Sequence, residues 1–460
     1  MGPANLIVFR FCNAQMQRYM ASTPAAPIGD LQELTDYFVA GDKPVARHRI
    51  GLEHEKIAVM PDGAAPGHAV IARIIGAFVA DGWSPIEEAG ALIGAVKKGL
   101  GTFTLEPGGQ LEHSGEPHST VQAAVADNDK HLDQLVEVAA RHDVTLLGTG
   151  FRPFFGLDRI PWMPKGRYVV MRDYLPRYGA RAHDMMKRTA TVQANVDYLD
   201  EADAMAKLRI GQGISPLVTS LFAASPLADG RDTGEQTFRA SAWLSMDPAR
   251  CGLLSFLFEP GCGFHSYVEW ALDVPMFFVY RDGKYRSLAG EGFSFRRFIA
   301  EGRFGERATI DDWELHLSTL FPEVRLKRYI EVRQADASTR AMVNALPALW
   351  RGVYATKDTQ DAAWALVDGL SFAERVQLQH DVPRLALKTP LLGEQLQVRA
   401  KALVAIAQRG LRSVEPGAIP LLEPLVEIAS TGRTIADRIL ADLARTGGDI
   451  PQLVAALALR

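Results

Sequence analysis

Glu53 and Glu55 stand two residues apart in the strand-like stretch Gly51-Leu52-Glu53-His54-Glu55-Lys56-Ile57-Ala58-Val59. Both therefore project from one side of a strand, and Ile57 and Val59 continue that side. Carboxylates that share a face with apolar residues point inward, where two of them repel unless a cation or a proton lies between. A second stretch, Phe103 to Glu112, reads as a hairpin turning at Pro107-Gly108-Gly109. A three-residue loop pairs Glu106 with Gln110 and Thr104 with Glu112, and sets Glu106, Gln110 and Glu112 on one face; a two-residue loop puts Glu106 and Glu112 on opposite faces. A third stretch aligns Thr191, Gln193, Asn195 and Asp197 on one side, just after Met185-Met186-Lys187-Arg188, which brings a cation to the strand entrance. A fourth, Arg328 to Arg333, sets Glu331 and Arg333 on one side and Ile330 with Val332 on the other. Each alone reads equally well as a half-exposed strand.

Together the four describe a curved sheet whose concave face carries carboxylates, amides and a few guanidinium groups. Oxygen donors without cysteine suit Mg²⁺ or Mn²⁺ rather than zinc, and Mg²⁺ held by a few carboxylates waits for substrate phosphates to complete its shell. No G-x-x-x-x-G-K-[ST] loop is present, and Lys97 to Thr102 is too short to serve as one, so the expected chemistry is nucleotide chemistry without a Walker loop. His54 alternates away from Glu53 and Glu55, and His113 and His118 read as turn residues. A histidine-rich zinc hydrolase is disfavoured by that parity.

The elements that must position these groups belong to a chain of 460 residues, 47% hydrophobic and 23% charged. Such a chain can bury a large core in one or two domains. A net charge of -4 offers no basic field for nucleic acid or an anionic membrane, and no apolar run reaches the roughly 18 residues of a spanning helix. Three cysteines, Cys12, Cys251 and Cys262, are too few and too odd for a disulfide scaffold, so the expectation is a cytoplasmic protein. Cys251 and Cys262 are near enough in sequence to permit a bridge without requiring one. Residues 1–29 read as a disordered lead-in, with Met20 an alternative start; residues 30–337 as an α+β catalytic core; and residues 338–460 as five or six helices packed on it, separated by signals such as Val382-Pro383 and Gly447-Gly448. Within the core, Ala69 to Val79 has helical spacing, and Ser119 is the expected N-cap of a long helix reaching His142.

The motifs GLEHEK (Gly51 to Lys56), LEPGGQLEHSG (Leu105 to Gly115), MPKGRY (Met163 to Tyr168), DMMKRTATVQANVDY (Asp184 to Tyr198), LDVPMFFVYR (Leu272 to Arg281) and FPEVRLKRYIEVRQAD (Phe321 to Asp336) resemble, in order, those of the plant-type glutamate-cysteine ligases. The likeness runs over about residues 45 to 460. It implies an α+β fold with a glutamine-synthetase-like curved antiparallel sheet forming a funnel, helices outside and a helical C-terminal region. It also implies ATP as cosubstrate, Mg²⁺ as metal, and ligation of the glutamate γ-carboxylate to the cysteine amine through a γ-glutamyl phosphate. Carried over residue by residue, the resemblance makes Glu53, Glu55, Glu106, Glu112, Glu331 and Gln193 metal ligands, with Glu53, Glu331 and Arg333 catalytic and Arg333 on the phosphoryl group. Arg250 takes the glutamate α-carboxylate, Arg188, Met186 and Thr189 wall the substrate pocket, and Lys165 and Arg167 contact phosphate. The implied partners are small molecules, with glutathione feedback through competition and a monomer or homodimer as the assembly. Plant members carry a disulfide switch, yet Arg286 to Arg307 contains no cysteine here.

Overall fold

Alternation of polar and apolar residues, two by two, builds the sheet on which everything else rests. The computed structural model describes residues 26–460. Its principal sheet has nine strands: β1 (Ile50–Val59), β2 (Ser84–Glu88), β3 (Ala91–Lys97), β4 (Gly101–Leu105), β5 (Leu111–Ser114), β6 (Thr145–Leu147), β7 (Thr191–Val196), β8 (Val324–Leu326) and β9 (Ile330–Asp336). The order is β8-β9-β7-β1-β5-β4-β3-β2, with β6 paired to the end of β1, and neighbours run antiparallel throughout. Ser84 at one edge and Arg325 at the other line the same cavity, so the sheet curls into a funnel.

Directly opposed residues share a face. Glu53 lies opposite Gln193 and Ser114, Glu55 opposite Glu112, Asn195 opposite Glu331, and Thr104 opposite Glu112. All of them therefore face the funnel. The reverse face carries Leu52, Val192, Ala194, Ile330 and Val332 on one half and Phe103, Leu105 and Leu111 on the other, all buried. Helices cover that reverse face. His68–Ala80 presents Ile71, Ile74, Ile75 and Phe78 at three- and four-residue spacing, and Val121–Ala140 presents Val121, Val125, Leu132 and Leu135. The N-cap of the latter is Thr120, whose side chain accepts from Ala123 N, rather than the expected Ser119. His113 is likewise no turn residue: it sits in β5 on the reverse face, stacked on His131 at 3.8 Å. His54 is buried behind the strand, as its parity required.

Beyond β9 the chain is helical but for one two-stranded hairpin (Pro390–Leu391 with Glu394–Gln395). Seven α-helices follow, at 340–353, 357–364, 372–385, 396–414, 423–431, 435–446 and 450–457, one or two more than Pro and Gly signals counted. One extra break is made by a side chain: Thr356 caps the second helix by accepting from Thr359 N. Conversely Pro383 does not break a helix, because it lies in the last turn of Phe372–Leu385. One hydrophobic cluster holds Val192 and Val332 of the sheet together with Met342, Leu346 and Leu403 of these helices. Of the lead-in, residues 1–25, including Cys12, lie outside the described residues, while Pro27 bridges to Thr309 and Ile28 N donates to Ala308 O. Cys251 and Cys262 are free thiols. Among the described residues no helix is long and apolar enough to cross a membrane.

Candidate active site

The concave face of the sheet closes around a cavity of about 600 Å³. One wall is acidic. Glu53 and Glu55 of β1, Glu112 of β5 and Glu106 beyond β4 line it together. Each of the first three is aimed by a single donor: Asn195 Nδ2 to Glu53 Oε1 at 2.7 Å, Thr191 N to Glu55 Oε2 at 2.9 Å, and Thr104 Oγ1 to Glu112 Oε2 at 3.3 Å. Burial and then the neighbouring Glu106 push the Glu55 carboxyl up to about 8. The same two causes, in the same order, push Glu112 well above the usual range, and burial and then Glu331 push Glu53 up. Desolvation combined with like charge outweighs the cations near this wall, which is short of countercharge.

The turn that carries half of this wall is fixed by close packing. Glu106 N donates to Gln110 O and Gly109 N to Glu106 O, both at 2.8 Å, which is the three-residue loop and the register of the first alternative. Gly109 has φ +80°, and a Cβ on Gly108 would lie 2.1 Å from Lys187 O, so neither position accepts a side chain without strain. Gln110 accepts from Gly108 N at 2.9 Å and donates to Thr189 O at 2.8 Å. Its amide is spent on tying the turn to helix 182–188 and its C-cap Thr189.

The opposite wall is basic. Arg325 of β8, Lys327, and Arg333 of β9 converge on Glu331, at 2.6, 3.5 and 3.0 Å. Although burial works to raise it, these three cations hold the Glu331 carboxyl below the usual range. Arg333 Nη1 also donates to Gln193 Oε1 at 2.9 Å, and its guanidinium lies beside the contacting rings of Trp243 and Phe321.

Of the residues singled out from sequence, Glu53, Glu55, Glu106, Glu112, Gln193, Glu331, Arg333, Lys165, Arg167, Met186 and Thr189 line the cavity. Lys165 Nζ lies 3.8 Å from Glu106 and donates to Leu105 O. Both oxygens of Glu331 are met by side-chain cations, which places it on the basic wall. Two arginines are not in the cavity lining. Arg250 is fully buried, its guanidinium spent on Asp247 (2.8 Å), Pro275 O (2.7 Å) and Thr319 O (3.2 Å) and laid over Phe277. Arg188 is taken by Asp184, Asp229 and Arg152 O, and Lys187 by Leu157 O, so the expected cation at the entrance of β7 does not reach the cavity. A buried guanidinium must find acceptors wherever the fold offers them, and these found them outside. The groups missed from sequence are Arg325 and Lys327, which the quoted motif contains, and Lys43, which pairs with Asp197 at the cavity. Cross-strand pairing of Arg325 with Glu331 is the signal that would have exposed the first.

Among the described residues no three His, Cys, Asp or Glu side chains converge closely enough to enclose an ion by themselves. The donors nevertheless fit a hard cation: carboxylate oxygens, paired across strands and short of countercharge, with room in the cavity for phosphate oxygens and water to finish the shell.

Residues 49–456 match the model of glutamate-cysteine ligase family 2. The chloroplastic glutamate–cysteine ligase of Nicotiana tabacum is 39% identical over 415 residues, which is 89% of this chain and 79% of that one. The chloroplastic enzyme of Arabidopsis thaliana shares the same identity and coverage. Among solved structures, glutamate–cysteine ligase from Francisella tularensis in complex with AMP has a TM-score of 0.50 at 14% identity, covering 90% of this chain and 88% of that one, a likeness of fold. The expectation of a cytoplasmic location is corrected by these relatives, since the plant enzymes are chloroplastic. Sparse cysteines argue against a disulfide scaffold but do not tell one reducing compartment from another.

Proposed function

The chain belongs to glutamate-cysteine ligase family 2 and is an ATP-dependent ligase that makes γ-glutamylcysteine, and on that premise we propose how its two walls divide the work. The observation that carries the reading is an acidic wall short of countercharge facing an arginine cluster across one cavity. Glu53, Glu55, Glu106 and Glu112, with Gln193 at their border, would hold magnesium, which would supply positive charge against the nucleotide phosphates. Asn195, the Thr191 amide and the Thr104 hydroxyl keep the carboxylate oxygens aimed, so no reorganisation is needed when the nucleotide arrives. Arg333 meets the γ-phosphoryl oxygens as the group passes to the glutamate side chain, and then the oxygens of the resulting acyl phosphate, because a planar fork suits them. Glu331 keeps that fork oriented. Lys165 and Arg167 contact phosphate from the side, and Met186 and Thr189 wall the amino-acid end. The cysteine amine then displaces phosphate.

Phosphate release from ATP with glutamate and cysteine, followed while magnesium is titrated, tests this. Glu53→Gln should raise the magnesium needed for half-maximal turnover while the protein stays folded. An unchanged magnesium requirement would remove Glu53 from the metal site.

A further inference from the structure

β9 does not pair evenly with β7. Val332 lies opposite Ala194 and Ala335 opposite Val192, so Arg333 and Gln334 together occupy the length that Gln193 alone occupies on β7. Such a bulge turns the strand, re-aims a side chain and leaves backbone groups outside the ladder. The Arg333 amide is met by Glu323 O at 3.3 Å. One side chain reaches both carbonyls: Arg239 Nη2 donates to Arg333 O at 2.8 Å and Nη1 to Gln334 O at 3.3 Å, with Thr191 Oγ1 adding a longer bond to Arg333 O at 3.4 Å. Arg239 comes from helix Phe238–Leu244 and is 4% exposed. Its charge is balanced by Asp336 at 3.7 Å. Asp336 is itself held by Ser225 Oγ at 2.6 Å, Ala224 N at 2.9 Å and Thr237 Oγ1 at 3.0 Å, with no space between it and Gly150, where a Cβ would lie 2.5 Å away.

We propose that Arg239 is a positioning residue for the ligase reaction: its fork, braced by Asp336, clamps both carbonyls of the β9 bulge and thereby sets the aim of Arg333 into the cavity. This rests on the reading of Arg333 as the phosphoryl-binding arginine. A lysine could keep the charge but could not span two carbonyls in one plane. The clamp explains why a buried arginine sits where it touches no cavity carboxylate directly.

The test uses the full chain and four variants, with a fifth in reserve. Arg239→Lys should lower kcat on the order of a hundredfold, the cost of misplacing a transferring group by about an ångström, with the KM values of glutamate and cysteine little changed. Added to Arg333→Gln it should cost almost nothing further, because the two act as a unit. Arg375→Lys, a matched buried arginine that bonds Val367 O away from the cavity, should lower thermal stability without lowering kcat. If Arg239→Lys does not fold, Asp336→Asn carries the same comparison with a smaller expected loss of kcat. Full turnover in Arg239→Lys beside a crippled Arg333→Gln, or losses that multiply in the double variant, would overturn the clamp. Full turnover in Arg333→Gln would instead overturn the reading of Arg333 itself.

Discussion

Glu112, half-buried, and Glu331, buried, both face the cavity from one sheet, yet desolvation and Glu106 push the first well above the ordinary carboxylate range, while Arg325, Lys327 and Arg333 overcome burial and hold the second below it. The less exposed of the two is the one held low, so neighbours outweigh burial. The basic wall has its one carboxylate satisfied from within and keeps an excess of cations, so it stands ready before any ligand arrives. The acidic wall is left short of cations, so its carboxylates are completed by what the substrates bring. One sheet thus offers a finished grip on phosphate and an unfinished one on metal.

That contrast breaks first at Glu331. Glu331→Gln leaves three cations around a neutral amide, and unfolding in urea should report a loss of about 3–5 kcal/mol, the usual cost of removing one partner from a buried ionic cluster; stability equal to wild type would mean the cluster is solvated. On the acidic wall the same substitution should act differently. Glu112→Gln relieves repulsion, so stability should hold or rise, while the magnesium response of turnover weakens on the order of a hundredfold; a loss of stability with an unchanged magnesium response would reverse the assignment of the two walls. A smaller effect is expected at the turn joining the acidic wall to helix 182–188. Gly108→Ala drives a methyl against Lys187 O and should cost about 1–3 kcal/mol, read as a lower thermal midpoint with turnover falling alongside. Smallest near neutral pH is an effect remote from both walls. His316 is buried, its Nε2–H donating to Ala271 O, and burial holds its ring down at about 3 against an ordinary 6.5. The unfolded chain therefore binds a proton that the folded one refuses. Stability present above pH 6.5 should fall progressively as pH drops towards 3, and the urea midpoint of His316→Gln should slope less between pH 7 and 5; an equal slope would place the acid sensitivity elsewhere.

What was legible in the sequence was whatever strand parity decides, because alternation is a local property. Glu53 with Glu55, Gln193 with Asn195, and Glu331 with Arg333 share faces in the structure as two-residue spacing demands. The hairpin had two registers on paper; the choice came from outside the hairpin, through Lys187 O against Gly108 and Thr189 O on the Gln110 amide. Arginine assignments fared worst. A guanidinium sits on a long stem and pairs with whatever acceptor the tertiary fold brings near, so Arg188 went to Asp229 and Arg250 to carbonyls 25 and 69 residues away. For the same reason Arg325 and Lys327 drew no notice until β8 was laid beside β9.

The amino-acid order by itself determined which residues face the funnel, that hard-oxygen donors gather there, and which family of ligases the motifs resemble. Only the tertiary structure decided which carboxylates stay in want of a cation, which one is already satisfied, and which arginine braces the bulge behind Arg333. Parity is written between neighbours along the chain, whereas charge balance is set by groups that meet only after the sheet has curled.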